Sequence, residues 1–216
     1  MSESGIVLHT SPIRIRSLLV VFLTAEGVRE CILPDSSHGA PVFGGRYDFI
    51  FQGKLLRSFS PVCEVPLALE QMLYGQALCE FLNKLGRDAD ISELFEPAWE
   101  VLGHSPSFQD RLPVFYRRFL QFLGTGELVA ACSYCQRGVI SYIVTDLGVQ
   151  CDQCAVPSEG ICFSPVESAL LSGLSSFDST SSAVSEALCR KIFSHFSMHT
   201  GTLRTLSWLD MAAAAP

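Results

Sequence analysis

Over the first sixty residues the apolar side chains fall in short β-prone runs, at 6–8, 13–23, 28–33, 47–51 and 55–59. Turn signals separate them: Ser11-Pro12, Glu26-Gly27, Pro34-Asp-Ser-Ser-His-Gly39, Gly44-Gly45 and Gln52-Gly53. Runs of this length between such breakers read as about five strands. Five short strands suggest a small barrel, and the OB-like barrel is the commonest five-stranded solution. A plain β-meander fits the same pattern.

Past Pro61 and Pro66 the period becomes helical. Leu69, Met72, Leu73, Ala77 and Phe81 recur at helix spacing up to Gly86. Ile91, Leu94, Phe95, Ala98, Trp99 and Leu102 form a second amphipathic pattern that stops at Gly103, and Leu112, Phe115, Tyr116, Phe119 and Phe122 a third that ends at Gly124. The aromatic stripe at 115, 119 and 122 has core spacing rather than that of a base-stacking platform. Ser164-Pro165-Val166-Glu167 combines an N-cap serine, a proline at the first helical position and a glutamate at the third. A serine-rich linker at 175–185 leads to a last helix through Ala187, Leu188, Ile192, Phe193 and Phe196, with Gly201 as its stop. The expected class is α+β: an OB-like barrel over 1–62, then a helical domain over 63–216 with an insertion at about 130–156.

That insertion holds the most specific chemistry of the chain. Cys132-Ser-Tyr-Cys135 and Cys151-Asp-Gln-Cys154 give C-x2-C-x15-C-x2-C. Each pair places two thiolates at the tip of a tight turn, and residues 136–150 suffice for a short hairpin between two knuckles, as in a zinc ribbon. All four ligands would be sulfur, which leaves no open position for water and marks a structural zinc site. Two disulfides, a redox pair and knuckles without metal are the competing readings. The other cysteines, Cys31, Cys63, Cys79, Cys162 and Cys189, sit among apolar residues and read as small buried hydrophobes.

Charge changes the picture only locally. The chain of 216 residues carries a formal −7, but residues 1–62 balance at +1, 63–130 at −5 and the rest at −3. A polyanion surface is therefore sought among Arg14, Arg16, Arg29, Arg46, Lys54 and Arg57. In the acidic helical part, Arg111, Arg117 and Arg118 cluster on one helix beside its apolar face, a pairing suited to an acidic peptide with a hydrophobic end; neutralisation of nearby Asp110, Glu96 and Glu100 is the plainer account. The apolar run 18–23 is too short for a secretory signal, and no run approaches a membrane span. A soluble, cytoplasmic protein is expected.

Catalytic patterns are missing from the sequence. Gly44-Gly45 and Gly124-Thr-Gly126 lack the flanks of a phosphate loop, and the five histidines form neither H-x-E nor H-E-x-x-H. His195 and His199 are four apart and read as a solvated pair at a helix end. Glu93, Glu96 and Glu100 read as an exposed acidic face. No enzymatic activity is expected.

The order of barrel, helices, four-cysteine ribbon and further helix resembles the bacterial recombination mediator family RecO. Gly5-Ile-Val-Leu-His, Ser17-Leu-Leu-Val and Phe22-Leu-Thr-Ala-Glu-Gly27 are similar to that family's first strands. The ribbon, with Gly148-Val-Gln-Cys151, resembles its zinc-bearing branch, and His199-Thr-Gly-Thr-Leu-Arg-Thr-Leu-Ser-Trp-Leu its last helix and tail. The resemblance implies a non-enzymatic DNA-repair factor. Such a factor binds single- and double-stranded DNA, anneals complementary strands, contacts the C-terminal tail of the single-strand-binding protein and, with RecR, helps load the recombinase RecA. One departure is plain: where the family usually carries lysines and arginines after its second or third strand, residues 34–41 hold none. The alternative is an interaction scaffold that reaches DNA only through its partners.

Overall fold

Strand lengths in the first unit follow from how many neighbours each strand serves. The computed structural model describes residues 2–37, 39–62, 69–103, 108–125, 131–145, 148–156, 160–173 and 182–207. The longest strand, β1 (Ser2–Arg14), pairs first with β4 (Arg46–Gln52) and from Ile6 onward with β2 (Ser17–Thr24). β3 (Gly27–Leu33) follows β2 antiparallel, and β5 (Leu55–Pro61) follows β4. The order β1-β2-β3-β5-β4 closes into a barrel. Closure comes through a parallel rung, Ile32 opposite Leu55, where the Ile32 N–H donates to the Lys54 carbonyl at 2.8 Å. Alternate residues turn inward, so Val7, Val20, Phe22, Cys31, Leu33, Tyr47, Phe49 and Leu56 fill the interior. Phe22 stacks on Phe49 with centroids 4.6 Å apart.

Ser11-Pro12, expected as a turn, lies inside β1, with Pro12 opposite Leu18. Among the described residues, no strand flanks the other edge of β1 beyond Ile6, and a proline is tolerated where only one edge is laddered. The chain reverses instead at Ile15 and Arg16, between the paired Arg14 and Ser17.

The first unit continues into α1 (Leu69–Asp88), a 3-10 turn at Ser92–Leu94 and α2 (Phe95–Gly103). Helix α1 runs through Gly86 rather than ending there, because this glycine is a contact residue. A Cβ at Gly86 would lie 2.4 Å from Val28 Cγ2, so only glycine lets α1 approach β3 this closely. Glu80 on α1 accepts hydrogen bonds from the backbone N–H groups of Arg204 (2.9 Å) and Thr205 (3.0 Å) and from the Thr205 hydroxyl (2.8 Å). Lys84 donates to the Thr202 carbonyl at 2.6 Å. Residues 201–207 thereby belong to the same unit: the chain divides into 1–108 with 197–216, and 109–196.

The second unit is built on α3 (Phe108–Phe122), α4 (Pro165–Ser172) and α5 (Ser182–Thr200), with a small sheet ordered β7-β6-β8. Its strands are β6 (Ile143–Thr145), β7 (Gly148–Gln150) and β8 (Ile161–Cys162). Ser164 and Glu167 form a complete capping box at the start of α4. Leu112, Phe115, Tyr116 and Phe119 of α3 are fully buried together with Leu188, Ile192, Phe193 and Phe196 of α5. Of the expected serine-rich linker, 182–185 open α5 and 175–181 lie outside the described residues. Among the described residues, no helix is long and apolar enough to cross a membrane.

Candidate metal centre

Backbone hydrogen bonds fold the first cysteine pair into a knuckle. Ala131 and Gly138 form an antiparallel bridge around it; the Cys132 N–H donates to the Arg137 carbonyl at 2.8 Å, and the Cys132 carbonyl accepts from Gln136 at 2.9 Å. Gln136 is the described non-glycine residue with a left-handed φ, +59°, the conformation such a reversal needs. The second knuckle follows β7: the Cys151 carbonyl accepts from Cys154 (3.1 Å) and Ala155 (2.9 Å). The Ser133 N–H donates to the Val149 carbonyl at 2.8 Å, which ties the first knuckle to β7 just ahead of Cys151. Gly148 is held open for this contact, since a Cβ there would sit 3.0 Å from Ser133 Oγ.

The four Sγ atoms converge, all within 4.8 Å of one another. Cys132 and Cys151 are buried and Cys135 and Cys154 half-buried; all four are free thiols. Cys135 and Cys151, from different knuckles, are 3.8 Å apart, close to the ligand separation of about 3.8 Å that follows from metal–sulfur bonds of about 2.3 Å in a tetrahedron. Backbone N–H groups of Cys135, Cys151 and Tyr134 pull the Cys132 thiol down to about 6. Cys154 is pushed up to about 12, first by its hydrogen bonds with the Cys135 and Cys151 thiols. Ionisation of Cys132 is thus favoured, while Cys154 resists it. A cation at their centre removes that resistance, and an all-sulfur tetrahedral set suits a thiophilic ion held structurally.

Two expectations about isolated residues are corrected. Cys31, Cys79 and Cys189 are buried, but Cys162 is exposed on β8; Cys63 lies outside the described residues. His195 is not solvated. It is fully buried, shares a 3.1 Å hydrogen bond with the Tyr116 hydroxyl, and stands edge-on to the Tyr116 and Phe119 rings. The signal was present in the sequence, since position 195 is seven residues after Leu188 and three after Ile192, inside the apolar stripe of α5. Glu93, Glu96 and Glu100 are exposed.

The six basic residues of the barrel divide by surroundings. Arg14 and Arg16 flank the exposed Ile15 at the β1–β2 turn, and Lys54 lies in the β4–β5 turn; all three are exposed. Arg57 donates to the Gln52 side chain at 2.9 and 2.5 Å. Arg29 pairs with Glu26 and, at 3.5 Å, with Glu3. Arg46 stacks over Trp99 of α2, 4.8 Å from the ring centroid. On α3, Arg118 is exposed and donates to Gln121 at 3.2 Å, Arg111 is half-buried, and the Arg117 guanidinium lies against Gly173 at the C-terminal end of α4. Positive charge there complements the helix dipole. The apolar face beside these arginines is packed rather than open: Phe119 meets Phe196 edge-on at 5.2 Å.

Compared with models of protein families and with curated proteins, the chain matches none of them.

Proposed function

We propose that this protein is a non-enzymatic DNA-repair and recombination mediator of the RecO type, binding DNA through an OB-like barrel and holding a structural zinc ion in its four-cysteine ribbon. The observation that carries the reading is the placement of Arg14, Arg16 and Lys54 on the β1–β2 and β4–β5 turns of a closed five-stranded barrel. In OB-folds these two loops flank the face that binds oligonucleotides. Zinc, with Cys132, Cys135, Cys151 and Cys154 as ligands, supplies a crosslink between knuckles that have little apolar core of their own. In this reading the protein anneals complementary strands, acts with RecR and contacts the tail of the single-strand-binding protein.

Titration with single-stranded DNA across a salt series tests it. Three phosphate contacts imply a log–log slope of roughly −2, and the double change Arg16→Gln with Lys54→Gln should flatten it by about one unit or more. Absence of binding even at low salt would overturn the DNA reading. The second reading, an interaction scaffold with little DNA affinity, is favoured by the net −7 and by Arg29 being spent on Glu3 and Glu26; that same absence is the result it expects.

A further inference from the structure

The β1–β2 turn carries an exposed apolar side chain that barrel stability does not require. Ile15 is 102% exposed and Ile13, two residues earlier, 47%, whereas Ile6, Val7 and Leu8 in the middle of β1 are fully buried. The turn is nonetheless braced. The Arg16 carbonyl accepts from both the backbone N–H and the hydroxyl of Ser36, at 2.8 and 3.1 Å, and the Ser17 hydroxyl donates to the Pro34 carbonyl at 2.9 Å. The apolar tip is thus held out on a supported backbone. Arg14 and Arg16 border it, and among the described residues neither meets a carboxylate, whereas Arg29, Lys84, Arg190 and Lys191 each do.

We infer that Ile15 is a wedge for a junction between double- and single-stranded nucleic acid: Arg14 and Arg16 hold the phosphates on either side while Ile15 enters the terminal base step. This rests on the DNA reading above and narrows it to a preferred ligand. The chemistry favours nucleic acid because cationic groups on both sides of a small aliphatic tip match a polyanion whose apolar faces become reachable where stacking ends. Inserted aliphatic side chains unstack a step at a cost that the flanking contacts offset.

The test uses the full chain and an oligonucleotide junction with 2-aminopurine at the last base pair, alongside the corresponding plain single strand. Wild type should raise the fluorescence on binding, as the base unstacks. Ile15→Ser, a fully exposed position that leaves folding intact, should lose that rise and about tenfold of the preference for junction over single strand, with single-strand binding retained. Binding of the junction without a fluorescence rise, or a rise unchanged in Ile15→Ser, overturns the wedge while leaving the DNA reading standing. No binding of either oligonucleotide overturns both. Binding to anionic phospholipid vesicles that depends on Ile15, with no junction effect, would reassign the tip to a lipid surface.

Discussion

At the scale of single residues, the sulfur cluster should respond to the loss of any one thiol. Replacing Cys132 with serine removes the thiol that the backbone already holds at about 6, so the variant should hold well under one equivalent of metal and lose the protection of residues 131–156. Metal analysis with thiol titration reads the first and hydrogen exchange the second; a full equivalent in the variant would contradict the assignment. Two carboxyls contribute to the response to acid. Burial works against ionisation of Glu80, but the Arg204 and Thr205 donors outweigh it and its pKa falls below 4.5. Glu167 likewise is opposed by burial and lowered by Lys191 and Ser164. A carboxyl whose folded pKa lies below its unfolded one stabilises the fold above the ordinary value and loses that contribution as pH falls through the folded one. Urea midpoints should therefore decline once pH drops below about 4.5, and Glu80→Gln should make the decline shallower. Tyr116→Phe removes a hydrogen bond of buried His195 and should cost about 1–3 kcal/mol in urea unfolding.

At the scale of elements, Gly86 shows a local preference giving way to a tertiary contact. Alanine is the better helix former by about 1 kcal/mol, yet its methyl would press on Val28 Cγ2. Gly86→Ala should thus lower the thermal midpoint instead of raising it, by a net cost of about 1–2 kcal/mol once overpacking is set against propensity. Reading Gly86 as the end of α1 failed for this reason: a glycine required by a neighbour looks, in sequence, like one required by a cap. Ser164 and Glu167 were readable because both halves of the capping box lie within four residues. The cysteine knuckles were readable for the same reason, each pair being a local turn whose spacing states its use. Pro12 was misread because tolerance of a proline depends on whether the second edge of β1 has a neighbour, which is set 30 residues or more away at β4. The barrel's neighbours β3 and β5 meet through residues 32 and 55, and nothing local in either run announces that meeting.

At the scale of the whole molecule, the metal should matter to one unit more than the other. Removal of the ion by a thiophilic chelator should raise amide exchange across 131–162 while β1 to β5 keep their protection, because the barrel core of Phe22, Phe49 and their neighbours contains no ligand. Equal loosening of both units would show that the ribbon is not a separate cooperative element. The hold of Glu80 on Arg204 and Thr205 bears on how the protein is made. Glu80 leaves the ribosome some 124 residues before the backbone donors that it will bind, and the whole of 109–196 is synthesised in the interval. The nascent chain can therefore close its barrel early, but the Glu80 carboxylate on α1 has only Lys84 to meet it until residues 204 and 205 emerge. A stop codon just after Thr200 would spare every strand and helix from β1 to α5 and still leave that carboxylate without its main-chain donors. Such a product should be found by proteases at α1, far in sequence from the lesion.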